Sequence, residues 1–165
     1  MQKFTTAMDD IKHPCLIDLV NYWKKMKTTS GIPLRSQFNP VDIPQCLRHV
    51  VLIDVIPSNP RFYIRLAGSA AVSVYTFSVP GKYVEDLLAE KDLAEVIPQY
   101  EHSLTHHVPT YLDSTLTVPS GKRLHYERVV LPLSSDGKHA DKLLNGLHYF
   151  DVKQQLMDRP ILKML

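Results

Sequence analysis

Hydrophobic and polar positions change period several times along the chain. Leu16, Leu19, Val20, Trp23 and Met26 recur at steps of three and four after Pro14, an amphipathic helix that Gly31 and Pro33 bring to an end. Pro33, Pro40 and Pro44 then exclude one long helix and favour short turns laid across the surface. His49–Ile56 is an almost unbroken apolar run, closed by Pro57-Ser58-Asn59-Pro60. Beyond that turn, Arg61–Ala67 alternates, so the two runs predict an antiparallel hairpin. Phe62, Ile64 and Leu66 share one face of its second strand; Arg61, Tyr63 and Arg65 share the other.

The small residues from Ala67 to Val72, with Val74 and Tyr75, predict a helix close to the sheet. Pro80-Gly81 turns the chain into a short helical piece at Glu85–Leu88. Leu93, Val96, Ile97, Tyr100 and Leu104 form a helical stripe over Lys91–His107, where Pro98 predicts a kink or two abutting helices. After Pro109 the period returns to two. Strands are expected at Tyr111–Val118, Arg123–Leu133 and Lys142–Asp151, joined by hairpin turns at Pro119-Ser120-Gly121 and Ser134-Ser135-Asp136-Gly137. Five strands with helices inserted after the second make an α+β plan. The organisation is a lead-in at 1–13, one domain at 14–151 including the first helix, and a short tail at 152–165. The lead-in lacks periodicity and is expected to be flexible.

Charge and composition narrow the function. Nineteen basic and 17 acidic residues give a net charge of +2, too balanced for a nucleic-acid binder. Lys24, Lys25 and Lys27 cluster, but on the solvated side of one helix. No apolar run is long enough to span a membrane or to serve as a signal peptide, and the two cysteines, Cys15 and Cys46, lack disulfide-framework or zinc-finger spacing. The expectation is a cytoplasmic protein.

The residues that carry a family resemblance come in order. They are Trp23, GIPLRSQFNPVDIP (Gly31–Pro44), VVLIDV (Val50–Val55), YIRLAG (Tyr63–Gly68), PGKYVEDL (Pro80–Leu87), VPTY (Val108–Tyr111) and YERVVLPLSSDG (Tyr126–Gly137). The chain resembles the PAS domains, in particular a stand-alone bacterial group common in alphaproteobacteria. The resemblance implies a PAS-like, five-stranded antiparallel sheet with short helices after strand 2 and an N-terminal amphipathic helix. It also implies a sensory or regulatory module whose cavity takes haem, flavin, a small organic molecule or nothing, so the cofactor is unknown. A helix preceding such a core often forms a dimer interface, which makes Leu16, Val20 and Trp23 candidates for a homodimer; packing on the domain's own sheet is the other reading. Any output passes to an unknown signalling protein.

Candidate chemistry is sparse. Arg65 could hold a ligand carboxylate bidentately, or pair with Glu127 or Asp86. Tyr126 and Arg128 share a strand face that could line a cavity, but period two cannot say which face looks at the helices. Tyr75 and Tyr100 complete the cavity candidates. His102 and His106, at i and i+4, fall on the solvent side of their helix and offer at most an adventitious metal site, so no metal is assigned. His107 is the conceivable haem ligand. Flavin photochemistry needs a cysteine on a pocket helix, and Cys15 and Cys46 both precede those helices. No GxSxG, HExxH, P-loop or GxGxxG occurs, so no catalytic residues are assigned and an enzyme is not expected. A ligand-free interaction domain is the competing reading. The apolar tail (Leu156, Met157, Ile161, Leu162, Met164, Leu165) could dock on a partner or a second protomer.

Overall fold

The computed structural model describes residues 3–27 and 31–150. The apolar tail lies outside the described residues.

Helix α1 (Pro14–Met26) begins where the chain supplies its own cap. His13 is extended, and its Nδ1 accepts the Cys15 N–H at 3.1 Å; Pro14 has no N–H to satisfy in the first turn. Leu16, Leu19, Val20, Trp23 and Met26 are all buried, as the stripe predicts. Three short 3-10 turns follow between residues 35 and 49, two of them opened by Pro40 and Pro44.

The strands are β1 (Val50–Val55), β2 (Phe62–Ala67), β3 (Thr110–Thr117), β4 (Arg123–Ser134) and β5 (Ala140–Tyr149). They form one antiparallel sheet in the order β2-β1-β5-β4-β3, so the first and last strands meet at its centre. Between β2 and β3 lie α2 (Val84–Leu87) and α3 (Glu90–His106).

Both faces of the sheet are covered. Val51, Ile53, Ile64, Leu112, Val130 and Leu143 face α2 and α3, whereas Val50, Leu52, Val129, Leu131 and Leu144 face α1. Trp23, 2% exposed, anchors α1 by donating its Nε1–H to Pro132 O at 2.7 Å. The approach of α1 requires Gly146 on β5: a Cβ there would lie 2.7 Å from Leu19 Cδ1 and 3.0 Å from Val129 Cγ2.

Four expectations are revised. The lead-in is held in place: Thr5 and Tyr111 exchange two backbone hydrogen bonds at 2.8 Å, and Phe4 and Ile11 are buried. Residues 69–74 form turns instead of a helix. The N–H groups of Gly68, Ala70 and Ala71 go to Val50 O and Arg48 O, Val72 makes a single i→i−4 bond to Gly68 O, and Ser73 and Tyr75 then bond three residues back to Ala70 O and Val72 O, so turns form in place of a continuous ladder. Gly68 is required there because a Cβ would come within 2.5 Å of Arg48 backbone atoms. Helix α3 is continuous through Pro98, so the alternative of two abutting helices is withdrawn. The carbonyl that Pro98 leaves unpaired belongs to Ala94, which is exposed to water. Finally, a bulge at Arg65 shifts the β1–β2 register, so that Leu66 pairs with Leu52 and Ala67 with Val51. The face assignment of Phe62 and Ile64 therefore does not extend to Leu66, which is exposed, and Ala67 turns inward.

Candidate functional site: a buried arginine in an apolar cavity

Strand β4 sets the site. Arg128 lies opposite Leu112 of β3 and Leu147 of β5, so its side chain points to the α3 face of the sheet together with Tyr126 and Val130. It is 2% exposed. Its Nη1–H reaches Gln99 Oε1 of α3 at 3.3 Å, and Gln99 Nε2 donates to Arg128 O at 3.4 Å. The guanidinium carbon stands 5.0 Å from the Tyr126 ring centroid and 5.7 Å from that of Tyr100.

No carboxylate answers this cation among the described residues. Asp92, the buried acid of α3, accepts the Thr117 N–H and lies 3.9 Å from Arg123. The phenols cannot supply a negative charge either. Burial pushes Tyr75 up to about 12 and raises Tyr100, Tyr126 and Tyr149 above their ordinary value. Arginine itself stays protonated.

Several polar atoms beside it lack partners. Arg128 Nε, Tyr126 Oη and Asn145 Oδ1 are buried with no hydrogen bond, although Asn145 Nδ2 donates to Tyr100 Oη at 2.9 Å. Arg128 and Asn145 line a cavity of about 50 Å³ whose wall is otherwise apolar apart from the tyrosines 75, 100 and 149. A groove of about 250 Å³ on the outer side of residues 67–80 shares Ala67, Val72, Tyr75 and Val79 with it.

The 2-1-5-4-3 antiparallel sheet thus carries a small cavity beneath its helices. A PAS domain sequence profile matches residues 11–148. The chain belongs to the PAS domain family. Such domains are typically sensory signalling modules. Among solved structures, the LOV protein of Rhodobacter sphaeroides is similar at 11% identity with a TM-score of 0.51, over 64% of this chain and 61% of that one. The chain thus spans about three fifths of that protein's length. A PAS domain from Colwellia psychrerythraea is similar at 10% identity and a TM-score of 0.52, over 67% and 95%. At these identities the likeness is one of fold. No curated protein matches the sequence.

Of the residues singled out from the sequence, Tyr75, Tyr100 and Arg128 line the PAS cavity, and Tyr126 stands behind the Arg128 guanidinium. Arg65 does not reach it. Its side chain is 58% exposed and forks onto Asp54, with Nε 2.8 Å from Oδ2, and Lys142 holds Asp54 Oδ1 at 2.9 Å. Its partner is therefore neither Glu127 nor Asp86; Asp54 pairs with Tyr63, which makes Arg65 its diagonal neighbour on the same face. Leu16, Val20 and Trp23 are buried in the domain's own core beneath α1, which withdraws them as free interface residues. Sequence reading missed Gln99 and Asn145. A signal for Asn145 was present: it is the one polar side chain in the run Leu143–Leu147.

None of the helices among the described residues is long and apolar enough to cross a membrane.

Proposed function

We propose that this PAS domain is a sensory module that binds a small carboxylate on Arg128 and passes occupancy to a partner protein. The observation that carries this reading is the guanidinium buried without a counter-charge beside unpartnered Asn145 Oδ1 and Tyr126 Oη. An unpaired buried cation is destabilising, and a carboxylate would supply the bidentate partner that the fold withholds. The volume limits the ligand. A water occupies about 10–15 Å³ on this measure, so 50 Å³ holds about three to five heavy atoms, an acid of about one to three carbons. Tyr75 and the turns at 69–74 lie between the cavity and the surface groove, so occupancy would bias that segment, shifting a population already present.

The small volume also favours a second reading, an interaction domain whose interior is filled by its own tyrosines. One experiment separates the two. Thermal melts with formate, acetate, propionate and the uncharged acetamide are expected to show Tm rising with a carboxylate only, and not rising in Arg128→Met. If no carboxylate moves the wild-type Tm, sensing through this cavity is wrong and the filled-interior reading stands.

A further inference from the structure

A second group of side chains lies on the opposite face of the sheet, where α1 begins. His13, Cys15 and His49 each offer one ligand atom, and these atoms lie within 4.8 Å of one another. His148 of β5 closes the group, its ring centroid 4.0 Å from that of His13 and 5.6 Å from that of His49.

Hydrogen bonding places the protons. His49 is 1% exposed, and its Nδ1 lies 2.9 Å from the Leu147 carbonyl. A carbonyl only accepts, so Nδ1 carries the proton and Nε2 presents its lone pair. Metal-binding histidines are oriented by this kind of second contact. That Nε2 is buried without a hydrogen-bond partner, and so is Nδ1 of His148. Two unsatisfied ring nitrogens in one cluster are costly unless something satisfies them.

We propose that His13, Cys15 and His49, with His148 at the edge, form a zinc site that staples the start of α1 to the sheet. Imidazole and thiolate donors suit Zn²⁺, which accepts four ligands without a demanding geometry. Donors about 2.0–2.3 Å from one ion stand roughly 3.3–3.8 Å apart, so the group must draw in by about 1 Å. The Cys15 thiol, which donates to Gln45 O at 3.5 Å, releases its proton to solvent on binding. His13 Nδ1 now accepts the Cys15 N–H, so ligation through that nitrogen exchanges the helix cap for the metal. The surroundings offset most of the ion's charge. The Cys15 thiolate and the buried Glu127, which accepts the Lys12 and His13 N–H groups at 3.1 and 2.7 Å, offset the ion, while Arg48 nearby opposes it.

The test uses the full chain, stripped with a chelator and titrated with Co²⁺ and then Zn²⁺. A thiolate-to-cobalt charge-transfer band saturating at one equivalent, displaced by zinc, with a zinc-dependent rise in Tm, is expected. Cys15→Ser should abolish the band and weaken zinc binding at least tenfold, and His49→Gln should weaken it similarly. The double variant His102→Ala/His106→Ala, which removes the surface pair, should change nothing. Cys15 is partly exposed, so its variant decides the matter if His49→Gln does not fold. Absence of the band in the wild type, or one-equivalent zinc binding that survives Cys15→Ser and vanishes with His102 and His106, overturns the proposal.

Discussion

Arg128 meets Gln99 through Nη1 and Oε1 at 3.3 Å, a neutral acceptor at the point where a carboxylate would complete an ion pair. The pair ties α3 to β4 while leaving the cation unneutralised.

Gln99→Glu therefore supplies the missing anion inside the protein. A charge-assisted hydrogen bond contributes about 1.5–3 kcal/mol, so Tm should rise by several degrees and any acetate-induced shift should disappear. Differential scanning fluorimetry with and without acetate reads both effects. A lowered Tm in the variant would mean that Arg128 is already balanced, and the anion-site reading would fail.

Helix α1 is expected to act through stability. Trp23→Ala removes a fully packed ring and the bond to Pro132 O, a loss of about 3–5 kcal/mol. Gly146→Ala forces a methyl against Leu19 and Val129 at a cost of about 1–3 kcal/mol. Urea titration measures both losses, and sedimentation should show an unchanged mass below the melting temperature. If Trp23→Ala alters the mass and leaves stability intact, the α1 face is an intermolecular interface after all.

The Asp54 network gives a pH signature. Burial pushes the Asp54 carboxyl up, but Lys142 and Arg65 outweigh it and hold the group below its ordinary value of 3.8. A carboxyl depressed in the fold contributes its full stabilisation above the unfolded value. That contribution is lost as pH falls from about 4 through the lower folded value, because the unfolded chain takes up the proton first. Asp54→Asn should lower Tm at neutral pH by about 2–4 °C and leave a smaller further loss between pH 4 and pH 2 than in the wild type. Parallel acid-unfolding curves for the two proteins would refute this.

Legibility in the sequence followed how local each signal was. The α1 stripe, the three hairpin turns and the order of strands were readable because a helix face or a turn depends on residues within four positions of each other. Tyr75, Tyr100 and Arg128 were nameable as cavity candidates, but only as side chains on faces of unknown direction. Leu66 and Ala67 misled because one extra residue in β2 sends the side chains that follow it to the opposite faces, and no local pattern announces that bulge; Arg65 misled because its partner, Asp54, lies on the neighbouring strand. Residues 69–74 misled because the amide protons of Ala70 and Ala71 answer the Arg48 carbonyl, 22 and 23 residues earlier, while the local bonds that follow are mostly of the i→i−3 turn type.

The sequence by itself determined the α+β plan, the PAS resemblance and the apolar stripe that buries α1, since each rests on periodicity or on contiguous motifs. Only the tertiary structure decided which face of β4 lines the cavity. Val129, Val130 and Leu131 are buried alike because both faces of the sheet are covered, so hydrophobicity carries no directional information there. It also decided that Arg128 has a glutamine for a neighbour, and that histidines 36 and 99 positions apart share one cluster with His13 at its head. Those relationships join residues distant in the chain, and their energies come from burial and pairing that exist only once the sheet has closed.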